Sequence, residues 1–325
     1  MNKHGRYNIT VIGAGQLGSR YLQGIVKSDL DLDVFVVDPS FESIELCRER
    51  IHEVDPNYDF TKFISLPSVA DLPENLDLAI VATTANVRWK VLRDLYQVDR
   101  EIKYLILEKV LFQNESEYAL CSSLLEDKNV ISWVNCPRRL IPIYDEVRRL
   151  VAGDLRRVSV TGGEWGLASN AIHFIDIISF ISGTDDVTIS SCNILSPSES
   201  ISKRRNFYET SGLITGTCGA VEFKLASNQG VGGEHSIQID SEYFSITINE
   251  TKGEMVFIEN NVTSMKNFEM PFQSSITQRL VEDILLYGEC GLTSLVSSTK
   301  LHLPLIREFN NIFKTDYNLE VCPIT

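Results

Sequence analysis

Three short stretches of this chain carry residue types at spacings that can do chemistry. The first is Gly13-Ala14-Gly15-Gln16-Leu17-Gly18, which follows the apolar run Ile9–Ile12 and opens an amphipathic stretch. Glycine at 13 permits a tight turn, glycine at 15 lets a pyrophosphate approach the backbone, and glycine at 18 lets a helix pack close to a strand. The N–H groups at the helix start then face the phosphates, which makes Gly13, Gly15, Gln16, Leu17 and Gly18 candidate dinucleotide-binding residues. Asp38 ends the next β-branched run, twenty residues after Gly18, where a carboxylate accepts hydrogen bonds from the adenosine ribose. It repels a 2′-phosphate, and Pro39-Ser40 brings no arginine to offset that, so NAD is expected rather than NADP. An aspartate before proline also serves ordinary turns.

The second stretch is Glu108-Lys109, at the carboxyl end of another apolar run. A lysine on that edge can hydrogen-bond or protonate a substrate oxygen at the nicotinamide end of a dinucleotide site, whereas a lone lysine at a strand end is commonly a solvated surface residue. The third is Asn170-Ala171-Ile172-His173-Phe174-Ile175-Asp176. His173 and Asp176, three apart, share one face of an otherwise apolar helix. A core histidine satisfied by a neighbour explains His173 alone as well as an acid/base role does. Thr83, Thr84 and Asn86 follow the run Leu78–Val81 on the same ligand edge, and their types also cap helices.

The elements that must position these groups are legible from periodicity. From Asn8 to about Cys136, β-branched runs alternate with amphipathic stretches, the pattern of βα units around a parallel sheet. Strands are expected at Asn8–Ile12, Asp33–Val37, Phe60–Ser65, Leu78–Thr83, Tyr104–Leu107 and Val130–Asn135, with helices near Gln16–Lys27, Ser43–Glu53, Val87–Tyr96 and Ser116–Glu126. Beyond Pro137 come a helical stretch Ile143–Val151, a strand Arg157–Thr161, a loop Gly162–Ser169 and an apolar helix Asn170–Ile181 stopped by Gly183. Strands Val187–Ile194, Ser211–Cys218, Ala220–Ala226, Ser236–Ile239, Tyr243–Ile248 and Glu254–Glu259 alternate apolar and polar residues, as in an antiparallel sheet. Helices Ser275–Tyr287 and Ser297–Phe313 close the chain. The fold class is therefore α/β: an N-terminal doubly wound Rossmann domain, residues 1–136, and a C-terminal α+β domain, residues 137–325, with an open, mostly antiparallel sheet and a last helix able to pack back on the first domain.

The whole sequence resembles the glucose-fructose oxidoreductase, inositol dehydrogenase and MocA (Gfo/Idh/MocA) family. The resemblance rests on the Gly13–Gly18 fingerprint, Glu108-Lys109 where the family has Glu-Lys-Pro, the Gly162-Gly163 turn, and the His173-x-x-Asp176 helix ending in Gly183. It implies an NAD-dependent oxidoreductase of sugars or polyols in which the sheet of the second domain covers the nicotinamide. Lys109 would bind substrate and take part in proton transfer, and His173 would be the acid/base for the reacting hydroxyl, a task that suits an imidazole. Two departures stand out: Val110 replaces the family's proline, and Ser169 occupies the position, four before the histidine, of an aspartate that contacts substrate. Asn170 then becomes a candidate substrate ligand, with Asp176 and Glu108 completing the substrate and cofactor sites.

Asn135-Cys136-Pro137-Arg138-Arg139 and Lys203-Arg204-Arg205-Asn206-Phe207-Tyr208-Glu209 add two arginine pairs, which read either as an anion clamp or as exposed loop charges. Arg138, Arg204 and Tyr208 are the substrate-binding candidates there. An anion clamp would suit a nucleotide-activated or acidic sugar of bacterial surface-polysaccharide synthesis. The alternative is an NAD-binding protein without net redox turnover, either a dinucleotide-sensing regulator or an internal-redox lyase or hydrolase.

The net charge of −14 argues against nucleic acid and membrane surfaces as partners. No apolar run is long enough to span a bilayer and no signal-peptide core follows Met1, so a cytoplasmic location is expected. The seven scattered cysteines form no C-x-x-C pair, which fits reduced thiols and neither a disulfide framework nor a metal site. An exposed apolar face on the second sheet would favour a homodimer or homotetramer.

Overall fold

Apolar runs such as Tyr104–Leu107, buried on both faces, can sit only in the middle of a parallel sheet covered on both sides. The computed structural model, which describes residues 5–151, 153–195, 197–198, 202, 204–230 and 232–325, places them there. The chain divides into two compact units, the first formed by 1–112, 116–135 and 271–295, the second by 113–115, 136–270 and 296–325.

In the first unit, β1 (Tyr7–Ile12), β2 (Leu32–Val37), β3 (Phe63–Leu66), β4 (Asn75–Val81), β5 (Glu101–Glu108) and β6 (Ile131–Asn135) are parallel, and the short β15 (Thr293–Ser294) pairs antiparallel with β6. The order β15-β6-β5-β4-β1-β2-β3 is the doubly wound order, with its switch point between β1 and β4. Helices α1 (Gln16–Ile25), α2 (Phe41–Val54), α3 (Ala85–Leu95) and α4 (Glu115–Asp127) follow β1, β2, β4 and β5. The expected strand over Phe60–Ser65 begins instead as a 3-10 turn, Phe60–Lys62, because the Asp59 side chain accepts the Thr61 N–H at 3.0 Å; the strand starts at Phe63. Helix α7 (Gln273–Tyr287) returns to pack on α1. Gly24 makes that contact possible, since a Cβ there would lie 2.4 Å from the Ser274 carbonyl oxygen and 2.6 Å from Thr277 Cβ.

In the second unit, β7 (Leu155–Gly162), β8 (Val187–Ile194), β9 (Gly212–Cys218), β10 (Val221–Ser227), β11 (His235–Ser241), β12 (Phe244–Asn249), β13 (Glu254–Glu259) and β14 (Val262–Asn267) form one sheet in the order β14-β13-β12-β11-β7-β10-β9-β8. It is antiparallel except where β7 runs beside β10. Helix α6 (Leu167–Ser182) packs its isoleucines and Phe174 against the inward face of β7, β9 and β10, while α5 (Pro142–Leu150) packs on α6. The long α8 (Leu295–Tyr317) starts from the last residues of the first unit. Among the described residues no helix is long and apolar enough to cross a membrane, and the seven cysteines form no disulfide, five of them being buried.

Two features correct the sequence reading. β14 has all six residues exposed and so shows no burial alternation; the Asn260-Asn261 pair, both with positive φ (49° and 61°), makes the two-residue hairpin that pairs it with β13. The outer face of the sheet is also not apolar. Arg157, Ser159, Thr215, Thr217, Glu222 and Lys224 project from its centre, Arg157 pairs with Glu222 at 2.9 Å, and Gln238 bridges Ser245 and Thr247; exposed Ile258 and Met265 appear only at the β13–β14 edge. Alternation fixes which residues face out, not that those residues are apolar, and the exposed apolar face expected there is absent from the described centre of the sheet.

The close approach at Gly24 can be tested directly. Gly24→Ala must displace the backbone of α7, and thermal unfolding should show a loss of about 1–3 kcal/mol; an unchanged melting temperature would mean that α7 does not lie against α1.

Candidate functional site

The glycine loop has the geometry its spacing requires. Gly13 turns with φ 98°, its N–H donating to the Val37 carbonyl at 2.8 Å, and a Cβ there would lie 3.1 Å from the backbone at Ala82 and Thr83. At Gly18 a Cβ would fall 1.8 Å from the Gly13 carbonyl oxygen, so only glycine lets α1 pass so close to the end of β1. Gly15 is different: a Cβ there meets nothing within 4 Å. It is the N-cap of α1 and has no side chain to satisfy the first N–H groups of the helix. That open cradle over a helix N-terminus fits a dinucleotide pyrophosphate.

Asp38 is fixed beside the loop. Its Oδ2 accepts the Ala14 N–H at 2.7 Å and its Oδ1 the Ser40 N–H at 2.8 Å. Each oxygen keeps a second lone-pair direction, enough to receive two ribose hydroxyls. Gln16 accepts from Arg50 Nη2 at 2.7 Å through its side chain and so faces the site with its backbone, beside half-buried Leu17. Thr84 is the N-cap of α3 but makes no side-chain cap; its hydroxyl donates to Asn86 Oδ1 at 2.7 Å. Thr83 Oγ1 is buried without a hydrogen-bond partner, a polar atom at the ligand edge still to be satisfied.

At the end of β5, Glu108 is buried and accepts from Tyr21 Oη at 2.5 Å and Asn135 Nδ2 at 2.6 Å. Burial pushes its carboxyl up from the usual range, more strongly than those two hydrogen bonds and the nearby Arg88 and Lys109 charges pull it down. Lys109 is half-buried, and the Lys109–Val110 peptide is cis. The two carbonyls that follow, those of Val110 and Leu111, accept from Arg88 Nη1, the second at 2.6 Å, and Arg88 Nη2 donates to the Thr83 carbonyl. The fully buried Arg88 thus ties the Lys109 loop to the end of β4.

In the second unit, α6 carries the other candidates. Its N-cap is Gly166 (φ 79°), and no side chain of its own first turn caps it. The carboxylate of Glu209 does so, accepting from Ala168 N at 2.6 Å and from Ser169 Oγ at 2.5 Å. This distant cap starts the helix at Leu167, inside the expected loop. Asn170 donates through Nδ2 to the Trp165 carbonyl at 2.7 Å. His173 follows Ser169 by one turn and is half-buried.

Arg138 and Asp176 are both engaged in ion pairs. Both oxygens of Asp176, a residue only 1% exposed, accept from Arg139, at 2.9 and 3.0 Å. Arg138 grips Glu250 at 2.9–3.2 Å and lies 4.5 Å over the Phe174 ring. Neither residue offers an open charge to a substrate; the two arginines hold α6 by its flanks. Arg204 remains exposed, 3.4 Å from Thr325 Oγ1, and Tyr208 lies edge-on to Phe313; Lys203 falls outside the described residues.

With this geometry in view, no family model matches the chain, and neither does any curated protein sequence. Solved structures do. The super-repressor mutant of Gal80p from Saccharomyces cerevisiae superposes with a TM-score of 0.72 at 14% identity over 94% of this chain and 95% of that one. UDP-N-acetylglucosamine 3-dehydrogenase GnnA from Acidithiobacillus ferrooxidans gives 0.69 at 13% identity over 94% and 97%. An oxidoreductase from Agrobacterium radiobacter, in complex with NAD+, L-tartaric acid and magnesium, gives 0.70 at 13% identity over 92% and 94%. The chain shares the fold of these structures.

Sequence reasoning missed three groups on this fold. Arg88 had a signal: it shares a helix face with Ala85, Leu92 and Leu95, where a charge needs buried partners. Glu209 stood at the end of the basic loop Lys203–Glu209, but its capping role had no signal, since the contact spans forty residues. Glu250 is the hub of a buried cluster, accepting from Tyr144 Oη at 2.5 Å and Arg138, with His235 Nε2 at 3.0 Å. An ionised carboxylate only accepts, so His235 carries its proton on Nε2. Burial pushes the Glu250 carboxyl up, but the His235 hydrogen bond, the Arg138 charge and Tyr144 outweigh it and hold it at about 2.

Four variants separate these roles. Gly15→Ala should keep the melting temperature and weaken NAD binding, whereas Gly18→Ala should unfold the first unit; equal effects in calorimetry would contradict the assignment. Glu250 is depressed in the fold, so its contribution, on the order of 3 kcal/mol, is present above its unfolded value and is lost as pH falls from about 4.5 towards about 2. Glu108 is raised, the opposite sign, so Glu108→Gln should leave the neutral-pH melting temperature unchanged or higher while Glu250→Gln lowers it.

Proposed function

We propose that the protein is an NAD-dependent oxidoreductase of the Gfo/Idh/MocA kind, moving hydride between the nicotinamide and a secondary hydroxyl or keto group of a sugar or polyol. The observation that carries this reading is the pairing of the open Gly15 cradle with the fixed Asp38 carboxylate. An anion held by two backbone N–H groups beside the adenosine pocket disfavours a 2′-phosphate and selects NAD. The likeness to an oxidoreductase in complex with NAD+ and to a nucleotide-sugar 3-dehydrogenase supports it.

NAD, when bound, supplies the hydride acceptor. Lys109, followed by carbonyls that Arg88 holds, hydrogen-bonds the reacting oxygen, and His173 takes the hydroxyl proton during oxidation. Ser169 and Asn170 sit one turn or less before His173 and contact the substrate's other hydroxyls. Arg204 and Tyr208 lie in the loop leading to Glu209, where exposed Arg204 suits an acidic or nucleotide-activated sugar.

Mixing the protein with NAD and a panel of free, acidic and nucleotide-activated sugars should raise the reduced-nicotinamide absorbance with at least one of them. Lys109→Met and His173→Ala should each lower kcat by about 100-fold or more while the NAD dissociation constant stays within about threefold. NAD binding with no turnover of any sugar would instead favour a dinucleotide-sensing role on the same fold, and turnover without net reduction an internal-redox lyase or hydrolase.

A further inference from the structure

We infer that His235 and Glu250 form a second acid/base pair, which takes a proton from the carbon beside a sugar's carbonyl group and so exchanges that proton with solvent. The inference rests on the sugar-oxidoreductase reading and adds to it a proton transfer at carbon.

Glu250, just past β12, is held on both oxygens. Arg138 donates through Nε to Oε1 at 2.9 Å and through Nη2 to Oε2 at 3.0 Å, while Tyr144 Oη donates to Oε1 at 2.5 Å. A carboxylate fixed in this way meets His235 Nε2 at 3.0 Å through Oε2 and only accepts. The imidazole proton is therefore on Nε2, and the lone pair is on Nδ1. The ring itself has one orientation: Phe174 packs edge-on to it at 5.1 Å, and Trp165, anchored by Nε1 on the Ala226 carbonyl at 2.9 Å, lies 6.4 Å away. Gly162, opposite His235 in the β7–β11 ladder, leaves room for the side chain, since a Cβ there would lie 2.7 Å from His235 Cβ.

A histidine kept only for packing spends both nitrogens on neighbours. His235 spends one: among the described residues Nδ1 has no hydrogen-bond partner, and the side chain keeps 12% exposure. A carboxylate that sets the tautomer and a bare nitrogen on the far side of the ring are what a general base requires. The hydroxyl proton of the oxidation already goes to His173. That oxidation leaves a carbonyl, which acidifies the C–H bonds on the carbons next to it, and His235 packs on Phe174, the residue after His173. In the proposed step a C–H bond breaks and its proton moves to Nδ1. The electron pair closes a carbon–carbon double bond, and the carbonyl oxygen takes the charge as an enolate, which Lys109, assigned to the reacting oxygen, also suits. Nδ1 trades its proton with water and returns one to carbon, so the ketone is restored and nothing is oxidised or reduced. His235 is the catalytic residue of this step and Glu250 its positioning residue.

The test follows deuterium uptake from D2O, by proton NMR, into the ketone made from a sugar that the protein turns over, with NAD added in its oxidised form so that the ketone is not reduced. The wild type should exchange the proton beside the carbonyl at least about 100-fold faster than protein-free solution. His235→Gln should lower that exchange by about 100-fold and lower reduced-cofactor formation from the sugar far less. Glu250→Gln brings an amide that can also donate, admits the other tautomer of His235, and should lower the ratio of exchange to reduced-cofactor formation; a merely structural loss would lower both rates alike. Nitrogen-15 NMR of the wild type at neutral pH, with no substrate, should show His235 protonated on Nε2 and bare on Nδ1. Reduced cofactor without exchange above the protein-free rate, exchange that His235→Gln leaves unmoved, or a proton on Nδ1 overturns the inference while leaving the oxidoreductase reading intact. No reduced cofactor from the wild type with any sugar defeats that reading and the inference together. Thermal unfolding accompanies each variant, and if Glu250→Gln does not fold, His235→Gln and the nitrogen spectrum decide.

Discussion

The passage of α1 over the end of β1 is the constraint on which the first unit depends. Because Gly18 has no Cβ, the helix runs against the Gly13 carbonyl, and its direction is then fixed. That direction puts the helix N-terminus at the point where β1 meets β4, the place where an open α/β sheet forms a crevice. It brings Tyr21 to Glu108 at the end of β5, and it presents Gly24 to α7. The cofactor cradle, the base of the Lys109 loop and the seat of a returning helix all follow from one close approach.

Buried charge is handled in two ways, and the difference has functional weight. Arg88 and Arg100 donate to backbone carbonyls, and so each ties loops together. Arg138 and Arg139 are instead matched with Glu250 and Asp176, and both touch α6, at Phe174 and at Asp176. Two buried glutamates diverge for the same reason. Glu108 meets a hydroxyl and an amide and is pushed up; Glu250 meets a guanidinium and is held down.

Strands buried on both faces and helices with a clear apolar stripe were legible in the sequence, as were the glycine loop and Asp38, because their chemistry is local. β14 escaped because every residue in it is exposed, although Asn260-Asn261 marked its turn. The true start of α6 escaped because its cap comes from Glu209 across forty residues. The arginine pair after β6 was visible, but its role was not: adjacency in sequence shows a density of charge, while only the folded chain shows that Glu250 and Asp176 already occupy it. Likewise, alternation in the second sheet told which residues face out without telling that Ser, Thr and Gln dominate there.

The central claim is hydride transfer to NAD, and isotope transfer tests it most directly. The protein is incubated with NAD and sugars carrying deuterium on their carbinol carbons, and the recovered reduced nicotinamide is weighed by mass spectrometry. One deuterium at C4 of the nicotinamide is expected for each sugar oxidised. Sugar conversion with the deuterium released to water, or reduced cofactor without deuterium, would contradict it.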